Sequence, residues 1–285
     1  MQYIAENISD FNTDHIFDCG QCFRWQRQED ASYIGPAMGR IVRVSYEDGR
    51  LTIDNCTEED FRNIWYDYFD LGRDYGQLKR GLSQHDKVMQ AAADYGSGIR
   101  ILRQDFWETV VSFIISQNNN IPRIKGCIEA VCKQCGEPLG AYAGHEFFAL
   151  PTPEKMASLE SEDLAPCRLG YRAPYLVRTA RQMIERGGPD VVKKELQQAE
   201  DPLAALQEFC GVGPKVAACI SLFGLGRMDA FPIDVWMRRV MNRLYGIDEK
   251  DVKGMKAYAT EHFGANGGIA QQYLFYYIRA LEREE

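Results

Sequence analysis

The sequence predicts an α+β fold, with an antiparallel β-sheet and helices over residues 1–95 followed by an all-helical part over residues 96–285. Three observations carry this expectation. RIVRVSY and RLTID alternate apolar and polar residues on either side of Asp48-Gly49, a dipeptide suited to a tight hairpin. Beyond a break at Tyr95-Gly96-Ser97-Gly98, apolar residues recur at helical spacing between Gly, Pro and Asn clusters. The chain has 285 residues and is 45% hydrophobic, enough to fill the core of one large domain or two ordinary ones.

Each element follows in order. CFRWQRQ and ASYIGPA are expected as neighbouring strands ahead of the hairpin, in a sheet that must bury one face. Thr57-x-x-Asp60 opens a helix as a capping box, and Phe61, Ile64, Trp65 and Phe69 then recur at a spacing that would cover that face. After the break, DFWETVVSFIISQ is a buried helix that stops at Asn118-Asn119-Asn120, with Pro122 and Arg123 next. Asp201-Pro202 starts a helix with an N-cap and a first-turn proline, expected to run to about Phe209. PKVAACISLF is helical, and an apolar connector leads to a further helix beginning near Asp234.

Composition excludes several classes. The N-terminal MQYIAENISDFNTDHIF has neither a basic n-region nor a cleavage site, and no apolar run reaches membrane-spanning length, so export and membrane insertion are not expected. Nine cysteines, an odd count without an export signal, fit a reducing compartment. Cys19/Cys22 and Cys132/Cys135 have C-x-x-C spacing. The pairs are far apart and the chain has only four histidines, so they are expected as small buried hydrophobes rather than zinc or redox sites. A net charge of −8 argues against coating nucleic acid through bulk electrostatics and leaves any such contact to a local patch.

The stretch FCGVGPKVAACISL joins two helices through Gly211-Val212-Gly213. It lacks the spacing of a Walker loop, and a helix rather than a strand precedes it, which removes the dinucleotide reading. Glycine-freed amides at a helix N-terminus form an anion site, and the same turn also serves as an ordinary C-cap. Lys215 sits at that N-terminus among Val, Ala, Cys and Ile. Dipole and desolvation both favour its neutral, nucleophilic form, although a solitary lysine is more often merely solvated. Asp234, nineteen residues on, is either an N-cap or a carboxylate able to stabilise an oxocarbenium-like charge. A lysine attacking a sugar C1′ and an aspartate supporting the departing bond would together make one reaction.

G-V-G-P-K followed by F-P-I-D-V resembles the signature of the helix-hairpin-helix, Gly/Pro-Asp DNA glycosylase superfamily, in which the lysine marks bifunctional members and the aspartate is general. Cys219 is the last cysteine, so the four-cysteine iron–sulfur loop of the thymine-glycol and adenine-mismatch branches is missing. The 3-methyladenine branch generally lacks the lysine. Four further stretches are similar to 8-oxoguanine DNA glycosylases, in family order over nearly the whole chain. They are Gly20-Gln21-Cys22-Phe23-Arg24-Trp25, the run from Ser116 through Asn118 to Arg123 and Ile124, Gly170-Tyr171-Arg172-Ala173, and Ala270-Gln271-Gln272-Tyr273-Leu274-Phe275.

The resemblance implies a TBP-like N-terminal half, a helical glycosylase domain with its hairpin at about 202–222, and a partner in duplex DNA containing 8-oxoguanine. It assigns Lys215 and Asp234 to catalysis. Cys219, one helical turn after Lys215, and Phe275 would be the walls of a base slot. Gln271 would bond the Watson–Crick edge, and the Gly20 carbonyl would accept the N7–H that guanine lacks, a contact supplying about 1–3 kcal/mol of discrimination. Tyr171 would wedge into the stack while Asn118, Arg123 and Arg172 read the estranged base, with cytosine preferred. Taken singly, these four have plainer readings as a helix C-cap, a core tyrosine and surface charges.

Amides of Gly211, Gly213 and Val216 would grip a phosphate. Many members carry a phosphate-contacting histidine paired with an aspartate. Here those positions are Trp236 and Ile278, a joint replacement that, with the lack of a basic nuclear-import tract, points to a prokaryotic enzyme acting in the cytoplasm on nucleoid DNA. A monomer is expected, with no iron–sulfur cluster, redox cofactor or catalytic metal. A structural monovalent ion on the carbonyls of Gln207, Phe209 and Val212 is compatible with the family. The rivals are a non-catalytic hairpin module for damaged or bent DNA and a glycosylase for another damaged purine.

Overall fold

The structure, a computed structural model, describes residues 1–284. The N-terminal sheet has the strand order β1-β5-β4-β3-β2, all antiparallel. Its elements are β1 (Gln2–Ala5), the short helix α1 (Thr13–Phe17), β2 (Gln26–Arg27), β3 (Tyr33–Ala37), β4 (Arg40–Glu47) and β5 (Arg50–Asp54). The β4–β5 hairpin turns where expected, with Glu47 opposite Arg50 and positive φ at Asp48 and Gly49, which matches the twist of the strands. Edge strand β1, pairing with β5, has no counterpart in the sequence reading.

CFRWQRQ departs from expectation, because only Gln26 and Arg27 are strand. The preceding segment folds across β3, where a Cβ on Gly35 would lie 2.8 Å from the Arg24 carbonyl. Trp25 is thereby buried, with its indole N–H donating to the Tyr68 hydroxyl at 3.0 Å.

The capping box forms in full. Thr57 Oγ1 accepts from the Asp60 amide at 3.0 Å, and an Asp60 carboxylate oxygen accepts from the Thr57 amide at 3.1 Å. Helices α2 (Glu58–Asp60) and α3 (Tyr66–Tyr68) bracket a π-helical turn, Phe61–Trp65. They press Phe61, Trp65 and Phe69 onto Val42, Val44, Leu51 and Ile53 of the sheet.

Helices α4 (Tyr75–Ser83) and α5 (Lys87–Tyr95) contribute Tyr75, Met89 and Ala92 to a second core, shared with the helical half of the chain. At its centre lies α6 (Phe106–Ile115), buried at every residue but Glu108. Next comes α7 (Ile121–Cys135), N-capped by Asn120.

The helical half is then interrupted by a hairpin, β6 (Pro138–Tyr142) and β7 (His145–Phe148), which corrects the wholly helical expectation. Ala143 and Gly144 both take positive φ at its turn, and Phe147 packs on Ile34 and Ile41 of the first sheet. This hairpin is stabilised by the other half of the molecule, so local periodicity carries little sign of it.

The remaining helices are α8 (Pro153–Ala157), α9 (Ala173–Glu185), α10 (Pro189–Gln198), α11 (Pro202–Leu206), α12 (Pro214–Phe223), α13 (Val235–Tyr245), α14 (Val252–Phe263) and α15 (Gly267–Glu284). Two 3₁₀ turns, Ser161–Cys167 and Gly170–Arg172, precede α9. Asp201 caps α11 as expected, but α11 ends at Leu206, short of Phe209, and the chain turns from there to Gly213. The nine cysteines are free and mostly buried. Among the described residues no helix is long and apolar enough to cross a membrane.

Candidate active site

The hairpin between α11 and α12 is shaped by its two glycines, each for its own reason. Gly211 has φ +78°, and a Cβ there would lie 2.6 Å from the Tyr175 ring, so both backbone and space demand glycine. Gly213 caps α12 without a side-chain hydrogen bond, and a Cβ there would meet nothing within 4 Å. The space before the α12 N-terminus is open and its first amides lack intrahelical acceptors, the arrangement that receives an anion. Val216, in that first turn, is buried, so only its amide is available to such a ligand.

Lys215 and Asp234 line the same cleft of about 390 Å³. Lys215 Nζ lies 3.3 Å from Ser116 Oγ and 5.5 Å from the centroid of the Phe113 ring. The Ser116 hydroxyl donates to the Phe113 carbonyl at 2.8 Å, so its oxygen is left to accept from the lysine. Ser116 therefore holds the amine through an N–H and leaves its remaining directions toward the cleft. Asp234 accepts the Met237 amide at 2.8 Å on Oδ1, so it is the N-cap of α13 while also facing the cleft. The two readings of this aspartate describe one side chain.

Deeper in, Cys219, Gln271, Phe275 and Gly20 meet around a slot that Lys215 and Asp234 also line. Cys219 is buried, and desolvation, opposed by Lys215, pushes its thiol up to about 11, so this wall stays neutral at physiological pH. Phe275 lies against Gly20, where a Cβ would be 3.1 Å from the ring. The slot here measures about 40 Å³, room for one or two waters.

Gln271 is 5% exposed, and its Oε1 is buried with no hydrogen-bond partner. An orphan acceptor of this kind in a protein interior calls for an explanation, and a donor on an incoming ligand supplies one. Gly20 has φ +85°. The carbonyls beside it are taken, Asp18 by Arg279 (3.1 Å), Cys19 by Gln272, and Gln21 by Gln104 (2.7 Å). Among the described residues the Gly20 carbonyl accepts no hydrogen bond, so its lone pairs remain for a ligand.

The loop after α6 carries the second group. Asn118 is exposed, with φ +46°, and Tyr171 is 49% exposed with its hydroxyl 3.3 Å from the Gln117 carbonyl. The plainer reading of Tyr171 as a core residue therefore fails. Arg123 is exposed, with one weak contact to the Arg168 carbonyl at 3.5 Å.

Arg172 is buried and heavily engaged in the free protein. It is 4% exposed, stacks 4.4 Å from the Tyr171 ring centroid, and donates to the carbonyls of Gln117 (2.9 Å), Leu169 (3.1 Å) and Asn118 (3.0 Å). In the free protein it holds the Asn118 turn and the Tyr171 ring, and one Nη1 N–H is left over from these bonds.

Two residues escaped the sequence reading. Ser116 anchors Lys215, and Gln117 joins the two groups, its Nε2 donating to the hairpin carbonyl of Gly211 at 2.9 Å while its own carbonyl holds Tyr171 and Arg172. Both lie in the quoted run that begins at Ser116, but nothing in their chemistry alone marks them. Trp236 forms an outer wall of the cleft, with the Arg239 guanidinium 5.1 Å from its ring centroid and Arg239 paired to Glu282 at 2.9 Å. Ile278 is fully buried in the helical core. Below the hairpin, the Phe209 carbonyl accepts the Val212 amide at 3.1 Å, while the carbonyls of Gln207 and Val212 accept no hydrogen bond among the described residues.

Comparison with known proteins gives a consistent picture. Residues 3–110 match the family described as 8-oxoguanine DNA glycosylase, N-terminal domain, and residues 111–263 match the HhH-GPD superfamily base excision DNA repair protein family. An N-glycosylase/DNA lyase of Saccharomyces cerevisiae is 31% identical over 268 residues, covering 86% of this chain and 71% of the relative. A probable N-glycosylase/DNA lyase of Methanothermobacter thermautotrophicus is 32% identical, covering 68% of each. The 8-oxoguanine glycosylase/lyase of Clostridium acetobutylicum, solved with duplex DNA containing cytosine opposite 8-oxoguanine, superposes with a TM-score of 0.93 at 41% identity, over 99% of this chain and 96% of that one.

Proposed function

Because the chain belongs to the 8-oxoguanine DNA glycosylase family within the HhH-GPD superfamily of base excision repair proteins, we propose that it excises 8-oxoguanine from duplex DNA opposite cytosine and then nicks the abasic site. The observation that carries this reading is the convergence of Lys215, Asp234, Cys219, Gln271, Phe275 and Gly20 on one slot. A non-catalytic hairpin module would need none of these, nor an orphan acceptor at the back of a cavity.

In this mechanism the DNA phosphate lies against the amides of Gly211, Gly213 and Val216, which needs no net positive charge on the protein. Trp236 flanks the phosphate at the mouth of the cleft. Tyr171 fills the stack as the base leaves it. The estranged cytosine receives donors from Arg123, from the side chain of Asn118 and from the remaining N–H of Arg172. The lesion enters between Cys219 and Phe275, with its N1–H and 2-amino donors meeting Gln271 and its N7–H meeting the Gly20 carbonyl.

Lys215 Nζ attacks C1′ as the neutral amine, and the glycosidic bond breaks with its electron pair going to the base, which takes up the proton that the nitrogen sheds on bonding to C1′. The carboxylate of Asp234 stabilises the positive charge that develops on the sugar. Ring opening gives a Schiff base between Lys215 and C1′. Loss of a C2′ proton then expels the 3′ phosphate by β-elimination, and water releases the lysine. A monovalent ion on the carbonyls of Gln207, Phe209 and Val212 would stiffen the hairpin and take no part in bond breaking.

The test is borohydride trapping on duplexes with one 8-oxoguanine opposite each base in turn. A covalent adduct is expected with wild type, fastest opposite cytosine, and none with Lys215→Gln, whose excision rate falls about a thousandfold or more. Equal adduct with Lys215→Gln would refute the mechanism, and equal rates opposite all four bases would refute the cytosine assignment.

A further inference from the structure

On the reading that the Gly20 carbonyl recognises N7–H, the geometry points to Gln272 as the positioning residue that aims this carbonyl and so sets discrimination between 8-oxoguanine and guanine. Gln272 is 2% exposed, next to the base-reading Gln271, and turns its side chain to the N-terminal loop, where Nε2 donates to the Cys19 carbonyl. Arg279, seven residues on and on the same face of α15, donates to the Asp18 carbonyl, and Phe275 lies between them in sequence. One helix thus supplies a wall of the slot and pins the two peptides that lead into Gly20.

The hold matters because of what Gly20 is. Its φ of +85° suits glycine, but glycine samples both signs of φ freely, so the residue does not fix its own carbonyl. Direction must come from its neighbours. Gln272 fixes the peptide before Gly20, and Gln104 fixes the carbonyl after it, with Nε2 2.7 Å from the Gln21 oxygen. The Gln21 side chain is itself locked, donating to the Ile16 and Arg100 carbonyls and accepting the Leu102 amide. Releasing the Cys19 carbonyl frees φ of Gly20, and the recognition acceptor swings with it. Gln272 also borders the slot but commits its Nε2 to the Cys19 carbonyl, so its effect falls on the difference between ligands.

The experiment measures duplex affinities in a Lys215→Gln background, so that nothing turns over. The lesion is either 8-oxoguanine or its 7-deaza counterpart, which has carbon in place of N7, each opposite cytosine. The parent is expected to prefer 8-oxoguanine by on the order of tenfold, the worth of one such hydrogen bond. Adding Gln272→Met compresses the preference to about two- or threefold and leaves affinity for the 7-deaza duplex within about twofold, because only the N7–H contact is lost.

A parallel loss for both duplexes with the ratio intact would overturn the inference and make Gln272 a structural residue only. If Gln272→Met does not fold, Gln104→Met is read in the same way, since it releases the same loop from a half-exposed position. There a compressed ratio supports the inference and an intact one overturns it. A ratio near one in the parent itself would instead show that Gly20 does not read N7–H, a failure of the underlying reading that is visible before any change at Gln272.

Discussion

The catalytic hairpin and the recognition loop face each other across one cleft and are built in opposite ways. Residues 211–215 take much of their shape from their own sequence, through one glycine in left-handed backbone, one glycine leaving open space, and a proline starting the helix, with Tyr175 and Gln117 closing on Gly211. Residues 18–21 have almost no structure of their own. They are held by Gln104, Gln272 and Arg279, which lie up to 261 residues away in sequence. On the proposed roles, rate rests mainly on the first region and selectivity on the second, so changes in the two should fail differently: loss of rate in the first, loss of selectivity in the second.

The strongest break on the catalytic side, after the lysine itself, is Asp234→Asn. Asparagine caps a helix as well as aspartate, so the bond to the Met237 amide survives and only the charge is removed. Single-turnover excision is expected to fall about a hundredfold with the melting temperature nearly unchanged. Asp234→Ala adds about 1 kcal/mol of lost capping, visible as a lower melting temperature. A hundredfold loss that appears only together with destabilisation would mean that the cap, not the charge, is the contribution.

The glycines divide next. Gly211→Ala drives a methyl into Tyr175 on disallowed backbone, so it should destabilise the fold by about 2 kcal/mol or more in thermal unfolding. Gly213→Ala meets open space and should melt like wild type, yet weaken duplex binding about tenfold because its methyl stands where the phosphate approaches. Undiminished affinity in Gly213→Ala would place the phosphate elsewhere.

This contrast also explains what could be read from the chain. The Asp234 cap and the Thr57 capping box are short-range patterns whose partners lie within four residues, and both appear where the sequence placed them. The β6–β7 hairpin, the brevity of β2 and the burial of Arg172 are decided by contacts from remote segments. Lys215, Asp234, Cys219, Gln271, Phe275 and Gly20 do meet, and their recognition rested on the order of motifs rather than on any single one. Ser116, Gln117 and Gln272 went unnoticed because a serine or glutamine reveals its role only through the atom it bonds.

Gln117 couples the hairpin to a third group, since its side chain bonds the Gly211 carbonyl and its own carbonyl holds Tyr171 and Arg172. Gln117→Leu keeps the volume and removes the donor. The carbonyl that holds Tyr171 and Arg172 survives, so the expected signature is a fivefold or so loss of rate of similar size opposite cytosine and adenine. A loss confined to the cytosine duplex would mean that the side chain also supports the contacts to the estranged base.

The smallest expected effect concerns the far anchor of the recognition loop and works through pH. Arg24, just past residues 18–21, is buried with Nε 3.0 Å from Glu129, while Glu108 stands 3.7 Å from its other end. Burial, opposed by Arg24, pushes the Glu108 carboxyl from 4.5 up to about 7. A carboxyl whose folded value is raised binds its proton more tightly in the folded than in the unfolded state. Its contribution is therefore fully present below about 4.5 and is lost as pH rises through about 7. Glu108→Gln, which keeps a neutral group of the same shape, should gain on the order of 1 kcal/mol over wild type at pH 8 and nothing near pH 4.5. Denaturant melts at the two pH values measure this directly, and a variant that gains equally at both would show that Glu108 does not take up a proton in the folded state over this range.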